Sequence, residues 1–151
     1  MINIKIKKLS PLAKVPTQGS EYAAGYDLYA ATDTIIDIAP HSTVKVGTGL
    51  SFELPDTIFA GLFARSGLAT KRGLRPANCV GVCDPDYRGE YIIALHNDTD
   101  EMQSIEPGER IGQVIFIPYS QVNFIDTDVL SETTRGDGGF GDSEKNKKNK
   151  G

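Results

Sequence analysis

The sequence predicts an all-β domain, a sandwich or barrel made of many short strands. Short runs rich in Ile, Val, Phe, Tyr and Thr recur along the chain, each closed by turn residues. Helical periodicity is nearly absent. The chain has 151 residues, 39% hydrophobic and 24% charged, which suits one globular domain large enough for a real core.

The elements follow in order. Ile2, Ile4 and Ile6 alternate with polar residues, as in a half-buried strand. Further strands are expected over 34–38, 43–46, 49–54, 58–64, 77–82, 90–96, 110–117 and 122–126. Ala39-Pro40, Pro55-Asp56, Asp98-Thr99-Asp100 and Pro107-Gly108 are the turn signals between them. The exception is SGLATKRGL, 66–74, where Ser66 can cap a short helix that Gly73 ends. From Arg135 the composition changes to RGDGGFGD and then to a lysine-asparagine run. Residues 1–134 are therefore expected to form the barrel and 135–151 a flexible arm, glycine-rich and then lysine-rich.

Charge and cysteine content exclude several roles. The net charge of −4 hides an asymmetry, because EKNKKNKG at the end holds four of the 16 basic residues and one of the 20 acidic ones. The remaining body is strongly acidic, which argues against nucleic acid as a main partner, since phosphate neutralisation needs clustered Lys and Arg. No apolar run approaches the roughly 20 residues of a membrane span. MINIKIKKL lacks the apolar core of a signal peptide, so an intracellular, cytoplasmic protein is expected. If Cys79 and Cys83 share one strand, their Cα atoms lie about 13 Å apart, too far for a disulfide.

Five stretches carry candidate chemistry. AAGYDLYAA, 23–31, places Asp27 among small and aromatic residues, where it can hold a turn or the water shell of a cation. ARSGLAT, 64–70, offers Arg65, the Ser66 hydroxyl and a helix start to an anion, or else is a capped helix with a surface Arg. GVCDPDYRGEY, 81–91, sets Asp84, Asp86 and Tyr87 at what reads as the bend between two buried strands. It is a hairpin turn or a site. GERIGQVIF, 109–117, puts Gln113 on a face with Ile111, Ile115 and Ile117, where it needs backbone or ligand partners. RGDGGFGD, 135–142, holds one aromatic, Phe140, in a glycine-rich segment that can present backbone N–H groups to phosphate.

In this order, AGYDL, RSG, GVCDPDYRGE, GERIGQ and RGDGGFG closely resemble the five motifs of the homotrimeric dUTPase family, from about Ala23 to Gly141. The resemblance implies a jelly-roll-like β-barrel and hydrolysis of dUTP to dUMP and pyrophosphate. It implies a β-hairpin that reads uracil, with Asn78 and the main chain of Val82, Cys83 and Ile92 lining the base pocket. Tyr87 is then the wall against a 2′-hydroxyl and Asp84 the general base that aligns water on the α-phosphorus, with Asp86 a turn residue only. Arg65, Ser66, Gly67 and Gln113 are implied at the phosphates. Mg²⁺ is implied with no direct protein ligand, Asp27 and Gln113 lying near its waters. Arg135, Phe140 and Gly141 are implied in an arm that closes over the substrate, supplied by a third subunit of a homotrimer. Ala64 replaces a frequent Pro, and Asp142-Ser143-Glu144 replaces a frequent Ser-Thr-Gly. A dCTP deaminase of the same fold family and a non-catalytic nucleotide-sensing or protein-binding barrel are the rival readings.

Overall fold

The computed structural model describes residues 2–139, so Phe140, Gly141 and the lysine-rich end lie outside the described residues. The chain falls into two units, Met1–Ser120 and Gln121–Gly151. The first unit contains every strand found among the described residues. These are β1 (Lys5–Lys8), β2 (Thr17–Gln18), β3 (Tyr26–Tyr29), β4 (Ile36–Ile38), β5 (Thr43–Gly47) and β6 (Leu50–Glu53). After β7 (Ile58–Phe63) comes the helix α1 (Ser66–Arg72). Then follow β8 (Leu74–Pro76), β9 (Gly81–Cys83), β10 (Ile92–Asn97), β11 (Gln103–Ile105) and β12 (Arg110–Pro118).

Every pairing is antiparallel. The strands form sheets β1-β6, β5-β10-β8, β11-β4 and the largest, β2-β3-β12-β7-β9. Successive strands jump between sheets, the pattern of a jelly-roll-like barrel. Alternation along β7 turns Ile58, Ala60 and Leu62 inward and Phe59 and Phe63 outward. Leu28, Leu50, Leu74, Ile93, Leu95, Ile105, Ile111 and Val114 complete a fully enclosed core with them. Each such Leu, Ile or Val side chain stabilises the fold by roughly 1.5–3 kcal/mol relative to exposure. Among the described residues the one wholly buried side-chain amide, Asn97, is satisfied: its Nδ2 donates to the carbonyls of Ile38 (3.0 Å) and Glu101 (2.7 Å), and its Oδ1 accepts from the N–H of Thr99 at 2.9 Å.

Three expectations on the elements are corrected. Residues 122–126 form no strand. Val122, Phe124 and Ile125 are exposed, and β-propensity without a ladder partner does not make a strand. Ser66 is not the cap of α1: Arg65 occupies that position in extended backbone, without a side-chain cap bond, and Ser66 is the first helical residue. Residues 77–80 belong to a tight turn, with Cys79 at φ 63°, so Cys79 and Cys83 do not share a strand; both thiols are free. Four short strands escaped the sequence reading: β2, β3, β8 and β11. At two to four residues they are too short to display a period.

Gly73 ends α1 as expected. It lies at φ 63°, and its N–H returns to the Leu68 carbonyl. In the second unit the described residues form no strand. Around Arg135 they make local turns, the Arg135 Nε donating to the Gly138 carbonyl at 2.8 Å.

Candidate active site

Asn78, Val82, Cys83, Asp84, Tyr87 and Ile92 come together in one cavity of about 240 Å³, with Leu62, Gly81 and Glu90 also in its lining. Its physical basis is an open sheet edge. β9 is the last strand of its sheet and pairs only with β7, so its other edge keeps backbone N–H and C=O groups without a strand partner. β9 and β10 do not pair with each other; they lie in different sheets. The expected hairpin is thus a crossover between sheets, opened by a turn in which the Tyr87 N–H donates to the Asp84 carbonyl at 3.1 Å. Nor are both flanks buried, since Val82 is 63% and Ile92 41% exposed.

The turn is held from below. Ser51 Oγ donates to the Arg88 carbonyl at 2.7 Å, and Arg88 Nη1 donates to the Pro85 carbonyl at 2.6 Å. The Tyr87 hydroxyl donates to the Glu90 carbonyl at 3.0 Å, which holds the half-exposed ring at the cavity wall. Glu90 accepts from the Gly49 N–H at 2.7 Å, a bond that ties the crossover to the β5–β6 turn. Tyr91 is fully buried beneath, its ring 4.4 Å from that of Phe52. Its hydroxyl is the one buried side-chain polar atom without a hydrogen bond among the described residues, and burial raises its pKa. Burial, and then the charge of Asp84, push the Cys83 thiol up to about 11. The Asp84 carboxylate itself is exposed at the cavity mouth, open to water and ligand.

Asp27, Arg65 and Gln113 meet in a second cluster. Asp27 on β3 stands opposite Gln113 on β12. Arg65 Nε donates to Asp27 Oδ1 at 2.8 Å, and Arg110 Nη1 donates to Asp27 Oδ2 at 3.1 Å. Gln113 Nε2 donates to the Ala64 carbonyl at 2.9 Å, which pins the chain just before α1. A Cβ at Gly25 would collide with Gln113 Oε1, so glycine is what lets this amide lie against the backbone. Arg65 keeps its Nη groups without a hydrogen bond among the described residues, and Ser66 and Gly67 are exposed beside it. The cluster can present a guanidinium, a hydroxyl and backbone N–H groups to an anion.

Arg110 is the residue that sequence reasoning missed. It stands three positions from Gln113, which in a regular strand puts the two on opposite faces. The β12–β3 register shifts between Arg110 and Gly112, and this bulge turns Arg110 onto Asp27. The same bulge buries Ile111 with Val114, so Gln113 shares its face with Ile115 and Ile117 but not with Ile111. Arg135 lies in the second unit, and Phe140 and Gly141 lie outside the described residues.

A family model described as dUTPase matches residues 12–144. A deoxyuridine 5′-triphosphate nucleotidohydrolase of Desulfitobacterium hafniense is 44% identical over 146 residues, covering 93% of this chain and 97% of its own. One of Rickettsia prowazekii is 42% identical over 142 residues, covering 93% of this chain and 96% of its own. Among solved structures, the Staphylococcus bacteriophage 80alpha dUTPase with dUPNHPP superposes with a TM-score of 0.85 at 24% identity. It covers 93% of this chain and 98% of that one, and bears on the fold. With the motifs in order and the match running through both clusters, the chain belongs to the dUTPase family.

Proposed function

We propose that this chain hydrolyses dUTP to dUMP and pyrophosphate as a homotrimer acting on the cytoplasmic nucleotide pool. This lowers dUTP before uracil can enter DNA and supplies dUMP for dTMP synthesis. One observation carries the reading: a cavity whose wall is the unpaired backbone edge of β9, with Asp84 at its mouth and Tyr87 at its side. A base read by fixed backbone donors and acceptors is selected by its edge, because the wrong edge leaves buried groups unpaired. Asn78 and the main chain of Val82, Cys83 and Ile92 bind uracil in this reading. The Tyr87 ring excludes a 2′-hydroxyl. Asp84 takes the proton of the water that attacks the α-phosphorus.

The phosphate chain falls to Arg65, Ser66, Gly67 and Gln113. The β7–β9 register sets Cys83 opposite Ala60, so Asp84 and Arg65 lie toward opposite ends of β7, about 20 Å apart along the sheet. A single chain therefore does not bring its own base and its own phosphate residues onto one triphosphate, and a site shared between copies does. The outward face of the large sheet supports the same assembly: Phe59, Phe63, Ile115 and Ile117 form a half-buried apolar row beside exposed Val82. Arg135, Phe140 and Gly141 belong to the arm, residues 135–151, that closes over the substrate of a neighbouring site.

Mg²⁺ fits this arrangement as an ion carried by the substrate. Among the described residues no three His, Cys, Asp or Glu side chains converge on one point, and both Asp27 oxygens are engaged by arginines. When bound, the ion neutralises triphosphate charge, with phosphate oxygens and water as ligands. Asp27 and Gln113 lie nearest its waters in this reading and act by fixing Arg65 and the 64–67 segment. Among the described residues no helix is long and apolar enough to cross a membrane.

The test is pyrophosphate release from dUTP beside dCTP, dTTP and UTP. Turnover of dUTP alone supports the reading. Ammonia release from dCTP would make the chain a deaminase, and no turnover of any would leave a binding barrel.

A further inference from the structure

The end of α1 far from Arg65 carries a bond system that includes none of the residues proposed to bind the substrate. Arg72, the last residue of α1, donates from Nη1 to Glu109 Oε1 at 2.6 Å. Its Nη2 donates to the Ser104 carbonyl and its Nε to Gln103 Oε1 at 3.3 Å. Glu109 Oε2 accepts from the Glu106 N–H at 3.0 Å. The two side chains are only 32% and 24% exposed, and each is held from more than one direction. Such a pair is oriented, unlike a loose surface ion pair.

Glu109 is followed by Arg110, which holds Asp27, which in turn holds Arg65 at the start of α1. Both ends of the helix are thus fastened to two consecutive residues at the head of β12. The circuit runs Asp27, Arg65, α1, Arg72, Glu109, Arg110 and back to Asp27. Packing alone does not fix this helix. It spans seven residues, and Leu68 is its only buried one. A helix that short has little stability of its own and can pivot about one apolar contact.

We propose that Arg72 and Glu109 are positioning residues for the triphosphate. They set the pose of α1 and so of Arg65, Ser66 and Gly67, without touching the substrate. The inference rests on the dUTP reading. Its test compares the parent with Arg72→Met, Glu109→Gln and the double variant. Each single variant should lower kcat/KM for dUTP, and affinity for α,β-imido-dUTP, about tenfold, since displaced binding groups cost rate steeply. Inhibition by deoxyuridine, which has no phosphate, should stay within about twofold, and the double variant should be little worse than either single one, because both remove the same bond. Amide exchange should quicken in α1 and not in the core strands.

Unchanged kinetics in both single variants would overturn the proposal. So would an equal loss of deoxyuridine and triphosphate affinity, or a failure of both to fold, either of which would make the pair a general brace. Should only Arg72→Met fail to fold, Glu109→Gln reads the same bond from its other side. If the parent itself does not turn over dUTP, the activity reading falls, and the exchange of α1 still decides whether the pair sets its pose.

Discussion

Asp84 is exposed at the cavity mouth, so its carboxylate is available to a water rather than locked in an ion pair. Asp84→Asn keeps the shape and removes the proposed base. Turnover of dUTP is expected to fall about 10²-fold or more with nucleotide affinity nearly unchanged, as read from kcat and from analogue binding. Parental turnover would remove Asp84 from the chemistry. One position earlier, Cys83 lies partly buried with its thiol pushed up to about 11 by burial and then by the Asp84 charge. The neutral form is favoured in the folded chain, so Cys83 is a poor nucleophile at neutral pH. Cys79 is exposed in its turn. Iodoacetamide at pH 8 should therefore alkylate Cys79 first, with Cys83 following only as pH rises toward 11, which peptide mapping would resolve. The same shift has a stability sign. An unfolded thiol releases its proton near 9 while the folded one keeps it, so Cys83 makes the fold less stable as pH climbs from about 9 to about 11.

α1 shows how one element is stopped and aimed. Gly73 accepts the left-handed turn that returns its N–H to Leu68, and a Cβ there would meet the Thr99 methyl. Gly73→Ala combines an unfavourable φ with that contact and should cost about 1–2 kcal/mol, a melting point lower by several degrees. An unchanged melting point would mean that the turn can relax without loss. β12 makes the complementary point. Residues 110–117 read as one regular strand, yet a bulge near the start of β12 decides which side chains reach Asp27.

On the scale of the whole molecule, the two residue clusters are far apart within one chain, and the apolar outer row of the large sheet wants a cover. Light scattering should report three times the 16.3 kDa chain mass. An active species of one chain mass would break the shared-site proposal. Truncation before Arg135 should leave a particle of three shortened chains with poor turnover, because among the described residues the buried core cluster lies within 1–120.

The all-β class was legible in the sequence because alternation and turn residues are local, and most longer strands lie where the pattern put them. The motif content was legible for the same reason: AGYDL, RSG, GVCDPDYRGE and GERIGQ are contiguous runs. What the sequence left open is everything that depends on partners distant in the chain. Residues 122–126 have strand composition and no ladder to join. β9 and β10 look like the two arms of a hairpin, but β9 pairs with β7 and β10 with β5 and β8, and this leaves the free edge on which the cavity is built. Arg110 reaches Asp27, 83 positions away, only because a bulge reverses its face. Pairing and bulges are settled by burial across the barrel, a long-range balance of packing that no short window of residues contains.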